Sequence, residues 1–131
     1  MLELTQDFYK ETKLRGPSVF MNGYCYEYAY AMYEVLKEKG IKSEVVFVRG
    51  NMKKQYILKE DIGIHNLHAI IKVKRSYYDI NGRLGSKRDI LSAWYKFENK
   101  NLISSSIEEL ATYIVDRDLI KTIKQHLKEN R

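Results

Sequence analysis

The segment from residue 22 to residue 41, NGYCYEYAYAMYEVLKEKGI, constrains the fold most, because its apolar residues recur with the period of a helix. The residues on this apolar face are Cys25, Tyr28, Ala29, Met32, Val35 and Leu36. The charged residues of the segment lie off that face, and Gly40 ends the pattern. We predict an amphipathic helix over residues 23–39, with Asn22 as its N-cap.

Three apolar stretches downstream predict a small antiparallel sheet. Ser43–Val48 (SEVVFV) is rich in β-branched residues and reads as a buried strand. Leu67–Lys74 (LHAIIKVK) and Tyr77–Ile80 (YYDI) predict two strands that are joined by a tight turn near Arg75-Ser76. The polar residues 50–63 between the first two strands predict a loop or an irregular hairpin.

Further helices are expected on both sides of this core. Leu2–Leu14 predicts a first helix, and Ile90–Phe97 also looks helical. Ser106 and Glu109 have capping-box spacing before a helix over residues 107–115. A last amphipathic helix is predicted over Leu119–Lys128, with Leu119, Ile120, Ile123 and Leu127 on its apolar face. The fold class is therefore α+β, in a single domain over residues 1–131.

Composition excludes several classes of protein. The single cysteine cannot form an internal disulfide or a usual structural zinc site. The first residues lack the pattern of a signal peptide, and no apolar run approaches the ~18 residues of a membrane span, so we expect a cytoplasmic protein with no membrane contact. The net charge is +6, but the lysines are spread along the chain, which favours solubility over nucleic-acid binding.

The single cysteine, Cys25, has two possible roles. A free cysteine on an apolar helix face usually packs like a small hydrophobic residue. A cysteine in the first turn of a helix is also suited to be a nucleophile, because the free N–H groups there stabilise a thiolate and can hold an oxyanion. A nucleophilic thiol needs an imidazole nearby, and His68 opens a predicted strand. The sequence leaves both roles open.

The predicted hairpin adds a third group to this pair. By the alternation of side chains along strands, His68, Asp79 and Asn81 share one face. A carboxylate or an amide commonly orients an imidazole that acts as a base. With a turn at Arg75-Ser76, however, Arg83 rather than Asp79 lies opposite His68, so Asp79 needs a bulge or another turn to come closer. Asn81 is the alternative third member.

These residues resemble a known enzyme family. The motifs GYC at 23–25, KGIKSEVV at 39–46, HAIIKV at 68–73 and YYDING at 77–82 resemble the transglutaminase-like branch of the papain-like thiol enzymes. The resemblance covers roughly Asn22 to Gly82. It implies a papain-like fold in which an N-terminal catalytic helix packs on a small antiparallel sheet, followed by C-terminal helices.

The resemblance also implies a role for each matching residue. Cys25 would be the nucleophile, His68 the general base and then the acid, and Asp79 the residue that orients His68. Backbone N–H groups at Cys25, with the side chain of Asn22, would form the oxyanion hole. The chain departs from the family in its short turn and in the absence of a D-P-T sequence after the acid. It also lacks a convincing upstream oxyanion glutamine, since Gln6, the only candidate, lies 19 positions before Cys25.

The sequence therefore predicts a small cysteine hydrolase or acyltransferase of the peptidase, amidase or deamidase type, acting on a protein or peptide without a cofactor. The alternative is a catalytically idle papain-like fold that binds or inhibits another protein, with the loop Arg49–Lys59 as its contact surface. A metal site of Cys25, His65 and His68 lacks a fourth strong ligand, so no metal is predicted. His126 has no evident partner and is expected at the surface. The oligomeric state is left open.

Overall fold

The computed structural model describes residues 24–56, 64–80 and 82–129. Its helices are α1 (Cys25–Glu38), α2 (Lys87–Ser92), α3 (Ile107–Ala111) and α4 (Arg117–Glu129), and a short 3-10 turn spans Lys54–Tyr56. Its strands are β1 (Glu44–Met52), β2 (Ile64–Val73), β3 (Ser76–Asp79), β4 (Gly82–Arg83) and β5 (Phe97–Ser105). The predicted α+β class is confirmed. None of the described helices has the length and apolar character needed to cross a membrane.

The five strands form one antiparallel sheet in the order β4-β3-β2-β1-β5. β1 lies between β2 and β5, and Val45 to Val48 are buried in succession because helices or loops cover both faces of the sheet there. The register of β1 shifts against β2 after Val48 and against β5 after Arg49. The sheet is larger than the three predicted strands, because β4 and β5 were not recognised.

The two faces of the sheet are covered to different extents. On the first face, which we call the α1 face, α1, α3 and α4 pack against alternate strand residues such as Phe47, Ala69 and Ile71. On the second face, the α2 face, only Val46, Val48, Ile70 and Ile90 are buried apolar residues of the described core. Partly buried side chains complete the α2 face: Leu67, Tyr77, Leu84, Leu91, Trp94 and Leu102.

The predictions for α1, α3 and α4 were right in position but not always in extent. The helix predicted over Ile90–Phe97 was wrong beyond Ser92, because α2 spans Lys87–Ser92 and β5 begins at Phe97. The apolar face predicted for α4 is confirmed, since Leu119, Ile120, Ile123 and Leu127 are all buried. The surface position predicted for His126 was wrong, because that residue is 9% exposed on the same helix. The helix predicted over residues 107–115 ends at Ala111. The helix predicted over Leu2–Leu14 lies outside the described residues.

The start of α1 differs from the prediction. Tyr24 is the N-cap and makes no side-chain capping hydrogen bond, so Cys25 is the first helical residue rather than the third. Asn22, the predicted cap, lies outside the described residues. The other end agrees with the sequence, since Gly40 has φ +75° just after Lys39, the C-cap. The apolar face of α1 is buried as predicted.

The turn between β2 and β3 also differs. Val73 pairs with Ser76 and Lys72 with Tyr77, which places the turn at Lys74 and Arg75, one residue earlier than predicted. Lys74 adopts φ +56°, a conformation that a two-residue hairpin turn requires and that the sequence gives little reason to expect at a lysine. The earlier turn moves Asp79 two positions along β2, next to Ile70 and diagonal to His68.

Candidate active site

The most distinctive polar feature of the structure is a buried pair of side chains, His68 on β2 and Asp79 at the end of β3. His68 is 3% exposed and Asp79 is 2% exposed. The Nε2 atom of His68 donates a hydrogen bond to Oδ2 of Asp79 over 2.9 Å. The earlier turn accounts for this contact, because it brings Asp79 to the diagonal position from which its carboxylate reaches the ring. The structure therefore joins these two residues by a hydrogen bond.

This hydrogen bond determines where the imidazole carries its proton. A carboxylate can only accept, so the neutral ring holds its proton on Nε2 and leaves a lone pair on Nδ1. Nδ1 is itself buried and has no hydrogen-bond partner in the structure. A buried nitrogen without a hydrogen-bond partner is energetically unfavourable, and native proteins rarely keep one without a functional reason. Nδ1 is therefore the atom of His68 that is available to accept a proton.

Cys25 places its thiol at the start of α1, against β2. The residue is 3% exposed and belongs to the core cluster of the α1 face. Burial raises the pKa of the Cys25 thiol to about 11, and the backbone N–H of Ala69 opposes that effect by hydrogen bonding to the sulfur. The N–H groups of Cys25 and Tyr26 act in the same direction as that of Ala69. The expectation that the helix start would lower the thiol pKa was wrong here, because desolvation outweighs these N–H groups.

Glu27, two residues further along α1, is a second charged group near the thiol. Its side chain is fully buried, and its charge also raises the pKa of Cys25. Oε2 of Glu27 accepts hydrogen bonds from the backbone N–H groups of Val115, at 3.2 Å, and Asp116, at 3.1 Å. The segment before α4 is thereby attached to α1. The sequence pattern places Glu27 off the apolar face and gives no sign of this role, which depends on contacts 88 and 89 residues away in the chain.

The thiol lies beside Ala69 of β2, and no hydrogen bond joins it to the imidazole of His68. Ala69, whose N–H contacts the sulfur, directly follows His68. The side chain of Ala69 faces α1, whereas His68 contributes to the cavity wall on the α2 face. No hydrogen bond links the sulfur to Nδ1, since Nδ1 has no partner. The other predicted site residues, Asn22 and Asn81, lie outside the described residues.

A cavity of about 170 Å³ opens beside the His68–Asp79 pair on the α2 face. Its walls are mainly apolar, and the Trp94 ring lies with its centroid 6.1 Å from that of His68, tilted by 42°. The residues lining the cavity are His68, Asp79, Leu84, Gly85, Asp89, Ile90, Ala93 and Trp94. The sequence analysis assigned no role to Trp94; that it is the only tryptophan of the chain was the one available signal.

The described residues contain no group of three or more His, Cys, Asp and Glu side chains able to hold a metal ion. The side chain of His65, one of the metal ligands considered from the sequence, is not among those described. The chain was also compared with protein-family models, curated proteins and solved structures, and none of them matches it.

Proposed function

We propose that this chain is a thiol hydrolase or acyltransferase that acts on an amide or related acyl bond of a protein or peptide, through Cys25, His68 and Asp79. The observation that carries the proposal is the buried imidazole of His68, held through Nε2 by Asp79 and left with a free Nδ1. The position of the thiol, hydrogen-bonded to the N–H that follows His68, supports the same assignment. The resemblance to the transglutaminase-like branch of the papain-like enzymes rests on these residues.

The raised thiol pKa determines how such a reaction would begin. At neutral pH Cys25 is a neutral thiol, so a base has to remove its proton as the sulfur attacks. Nδ1 of His68 is that base in the proposed mechanism, and Asp79 stabilises the imidazolium that forms. Cys25 belongs to the core cluster of the α1 face and His68 lines the cavity on the α2 face, so the proposal requires a rearrangement on substrate binding that brings the sulfur to Nδ1.

The remaining steps follow from this arrangement. The sulfur forms a bond to the acyl carbon, and in this proposal the backbone N–H groups of Cys25 and Tyr26, which already act on the sulfur, hold the oxyanion. The carbon–nitrogen bond then breaks, and the imidazolium of His68 gives its proton to the departing amine. Water or another amine attacks the thioester and loses a proton to His68. The carbon–sulfur bond then breaks, His68 returns the proton to the sulfur, and the acyl group leaves Cys25. Hydrolysis and transfer differ only in this last acceptor.

A second candidate function is supported by a specific observation. A deeply buried thiol with a raised pKa and no hydrogen bond to the imidazole is what an idle cysteine would show. In that case the chain is a protein-binding module on the same fold, because a fold does not determine function. Of its predicted contact loop Arg49–Lys59, only residues 49–56 lie in the described part. Replacing Cys25 with alanine would then leave the biological effect unchanged.

The deciding experiment measures the alkylation rate of Cys25 by iodoacetamide as a function of pH. Cys25 is the only cysteine, so mass spectrometry reads a single site. If His68 takes the thiol proton, the wild-type chain reacts at neutral pH, and His68→Gln loses that reactivity while its amide can still bond Asp79. The matched control is His126→Gln, which changes another buried histidine on α4 and should react like wild type.

The opposite result is equally clear. A rate that rises only as the pH approaches 11, and that is the same in His68→Gln and in His126→Gln, would show that the imidazole does not act on the thiol. The thiol proposal would then be wrong, and the binding-module function would be favoured.

A further inference from the structure

A second cavity, of about 240 Å³, lies at the end of the sheet where β1 begins and β2 ends. We call it the lysine cavity; it is lined by Lys42, Ser43, Glu44, Lys72 and Lys74. Lys42 and Ser43 lead into β1, Glu44 pairs with Lys72 across β1 and β2, and Lys74 lies in the hairpin turn. Two separate parts of the chain, residues 42–44 and residues 72–74, therefore direct cationic residues to one place.

The positive charge of this cavity is not neutralised within the described part of the chain. None of its three lysines takes part in an ion pair there, whereas Lys124 and Lys128 of α4 are paired with glutamates of α1. Nζ of Lys72 lies 5.7 Å from the centroid of the Tyr77 ring, which leaves its hydrogen-bonding capacity unused. The carboxylate of Glu44 accepts a hydrogen bond from the hydroxyl of Ser104. Three positive charges and one negative charge leave the cavity with an excess of two.

A buried hydroxyl at the same cavity lacks a partner. Oγ of Ser43 is buried and makes no hydrogen bond in the structure. Leaving such a group unsatisfied is unfavourable, so natural proteins rarely do so without a reason. An acceptor bound in the cavity would receive hydrogen bonds from the lysines and, once the atoms that cover it move, from this hydroxyl as well. This is an observation independent of charge that also indicates an anionic ligand.

We propose that the lysine cavity binds the phosphate group of a small molecule. A phosphate monoester carries a charge between about −1.5 and −2 at pH 7, which matches the excess of two positive charges, and its oxygens accept several hydrogen bonds. Lysine ammonium groups are common phosphate ligands because each is a compact charge with three donors. The cavity is several times larger than the ~30 Å³ share of one water molecule, so it has room for part of the group that carries the phosphate.

The lysine cavity is separate from the candidate active site. Lys72 and Lys74 follow His68 by four and six residues on β2 and its turn, which corresponds to roughly 13 to 20 Å along an extended strand. The phosphate proposal is therefore independent of the thiol chemistry, and either can be correct without the other.

The test uses the full chain and two probes, inorganic phosphate and glycerol 2-phosphate, with sodium chloride holding the ionic strength constant. Binding is followed by the backbone amide signals of residues 42–44 and 72–74 in NMR titrations. We expect saturable shifts at these residues, and about tenfold weaker binding in Lys72→Gln, since one charge-assisted hydrogen bond is lost. The matched control is Lys121→Gln, which removes the same charge from an exposed position of α4 and should bind like wild type.

Ser43→Ala separates recognition from general charge, because it changes no charge. It should weaken phosphate binding several-fold while the free chain keeps or gains stability, since the orphaned hydroxyl is gone. Tighter binding of glycerol 2-phosphate than of inorganic phosphate would assign the cavity to an organic phosphate monoester. Equal binding of the two probes would assign it to the free phosphate anion. Both outcomes support a phosphate site. Shifts that do not saturate, or equal losses in Lys72→Gln and Lys121→Gln, would overturn the proposal. So would an oligonucleotide that binds through these lysines when neither small probe does.

Discussion

The two faces of the sheet differ in how they are held together. The α1 face is covered by three helices and contains most of the buried apolar side chains of the described core, including Phe47, Met32 and Leu127. The α2 face is covered by one helix of six residues and the segment around Trp94, and four buried apolar residues lie there. Its most completely buried polar side chains are His68 and Asp79, beside a cavity. The α1 face is built mainly from apolar packing, whereas the α2 face combines a smaller apolar core with a buried polar pair.

This difference indicates a division of tasks. Deep apolar burial stabilises the fold, at about 25 cal/mol per Å² of apolar surface removed from water. A buried polar pair next to a cavity contributes less to stability and more to placing specific atoms. We therefore expect substitutions on the α1 face to act through stability, and substitutions on the α2 face to act through the geometry of His68.

The largest expected effect is the loss of apolar packing on the α1 face. Ile123 of α4 is fully buried, whereas Ile90 of α2 is 8% exposed, so the same change to alanine can be compared on the two faces. Ile123→Ala should lower the free energy of unfolding by about 4 kcal/mol, and Ile90→Ala by no more than about half of that. Urea unfolding followed by circular dichroism measures both. Equal losses would show that the two faces are packed equally well.

The thiol on the α1 face should make stability depend on alkaline pH. Burial raises the pKa of Cys25 from 9.0 to about 11, so the unfolded chain loses its thiol proton before the folded chain does. The buried neutral thiol contributes about 3 kcal/mol to the free energy of unfolding. This contribution is complete below pH 9 and is lost as the pH rises from 9 to 11. Urea unfolding of wild type and Cys25→Ala at several pH values isolates the contribution of the thiol, because all other ionisable groups are the same in the two proteins. Parallel pH profiles of the two proteins would contradict the raised pKa.

The polar pair on the α2 face should contribute a smaller amount than the α1 core. His68→Ala removes a hydrogen-bond donor from a buried carboxylate and should lower the free energy of unfolding by about 2 kcal/mol. Asp79→Asn should be milder, because the amide oxygen can still accept from Nε2. If His68→Ala left the free energy of unfolding unchanged, the polar pair would contribute nothing to the stability of the α2 face, and the comparison of the two faces would fail. Equilibrium unfolding of both variants provides the measurement.

The sequence predicted the long amphipathic elements well for a physical reason. The apolar faces of α1 and α4 repeat over three or more turns, and each repeat reinforces the same assignment. The residues His68 and Asp79 could be selected because side-chain alternation along strands is strict. The one-residue shift of the turn moved the pairing of β3 with β2 by two positions, which preserved their common face. Their contact could not be predicted, since it depends on the positive φ of Lys74.

Other parts of the structure were missed because their signals are weak or distant. β5, with the sequence FENKNLISS, is an edge strand whose residues are mostly exposed or partly exposed, so it lacks the apolar alternation that identifies a strand. The raised pKa of Cys25 depends on how deeply the helix start is buried, which no local pattern records. The same holds for Glu27, whose partners are at Val115 and Asp116.

The smallest expected effect tests whether local capping compensates for thin packing on the α2 face. Ser86 and Asp89 form a capping box at the start of α2: Ser86 Oγ accepts from the Asp89 N–H, and the Asp89 carboxylate accepts from the Ser86 N–H. Ser86→Ala should lower the free energy of unfolding by about 1 kcal/mol. Because Gly85, Asp89 and Ile90 also line the cavity beside His68, hydrogen exchange should accelerate across α2 while α4 stays protected. Ser106→Ala, at the cap of α3 on the α1 face, is the matched control. This change should lower the free energy of unfolding by a similar amount without faster exchange in α3, because Leu110 anchors that helix in the larger core. Equal local opening of α2 and α3 in the two variants would show that packing depth does not distinguish the two faces.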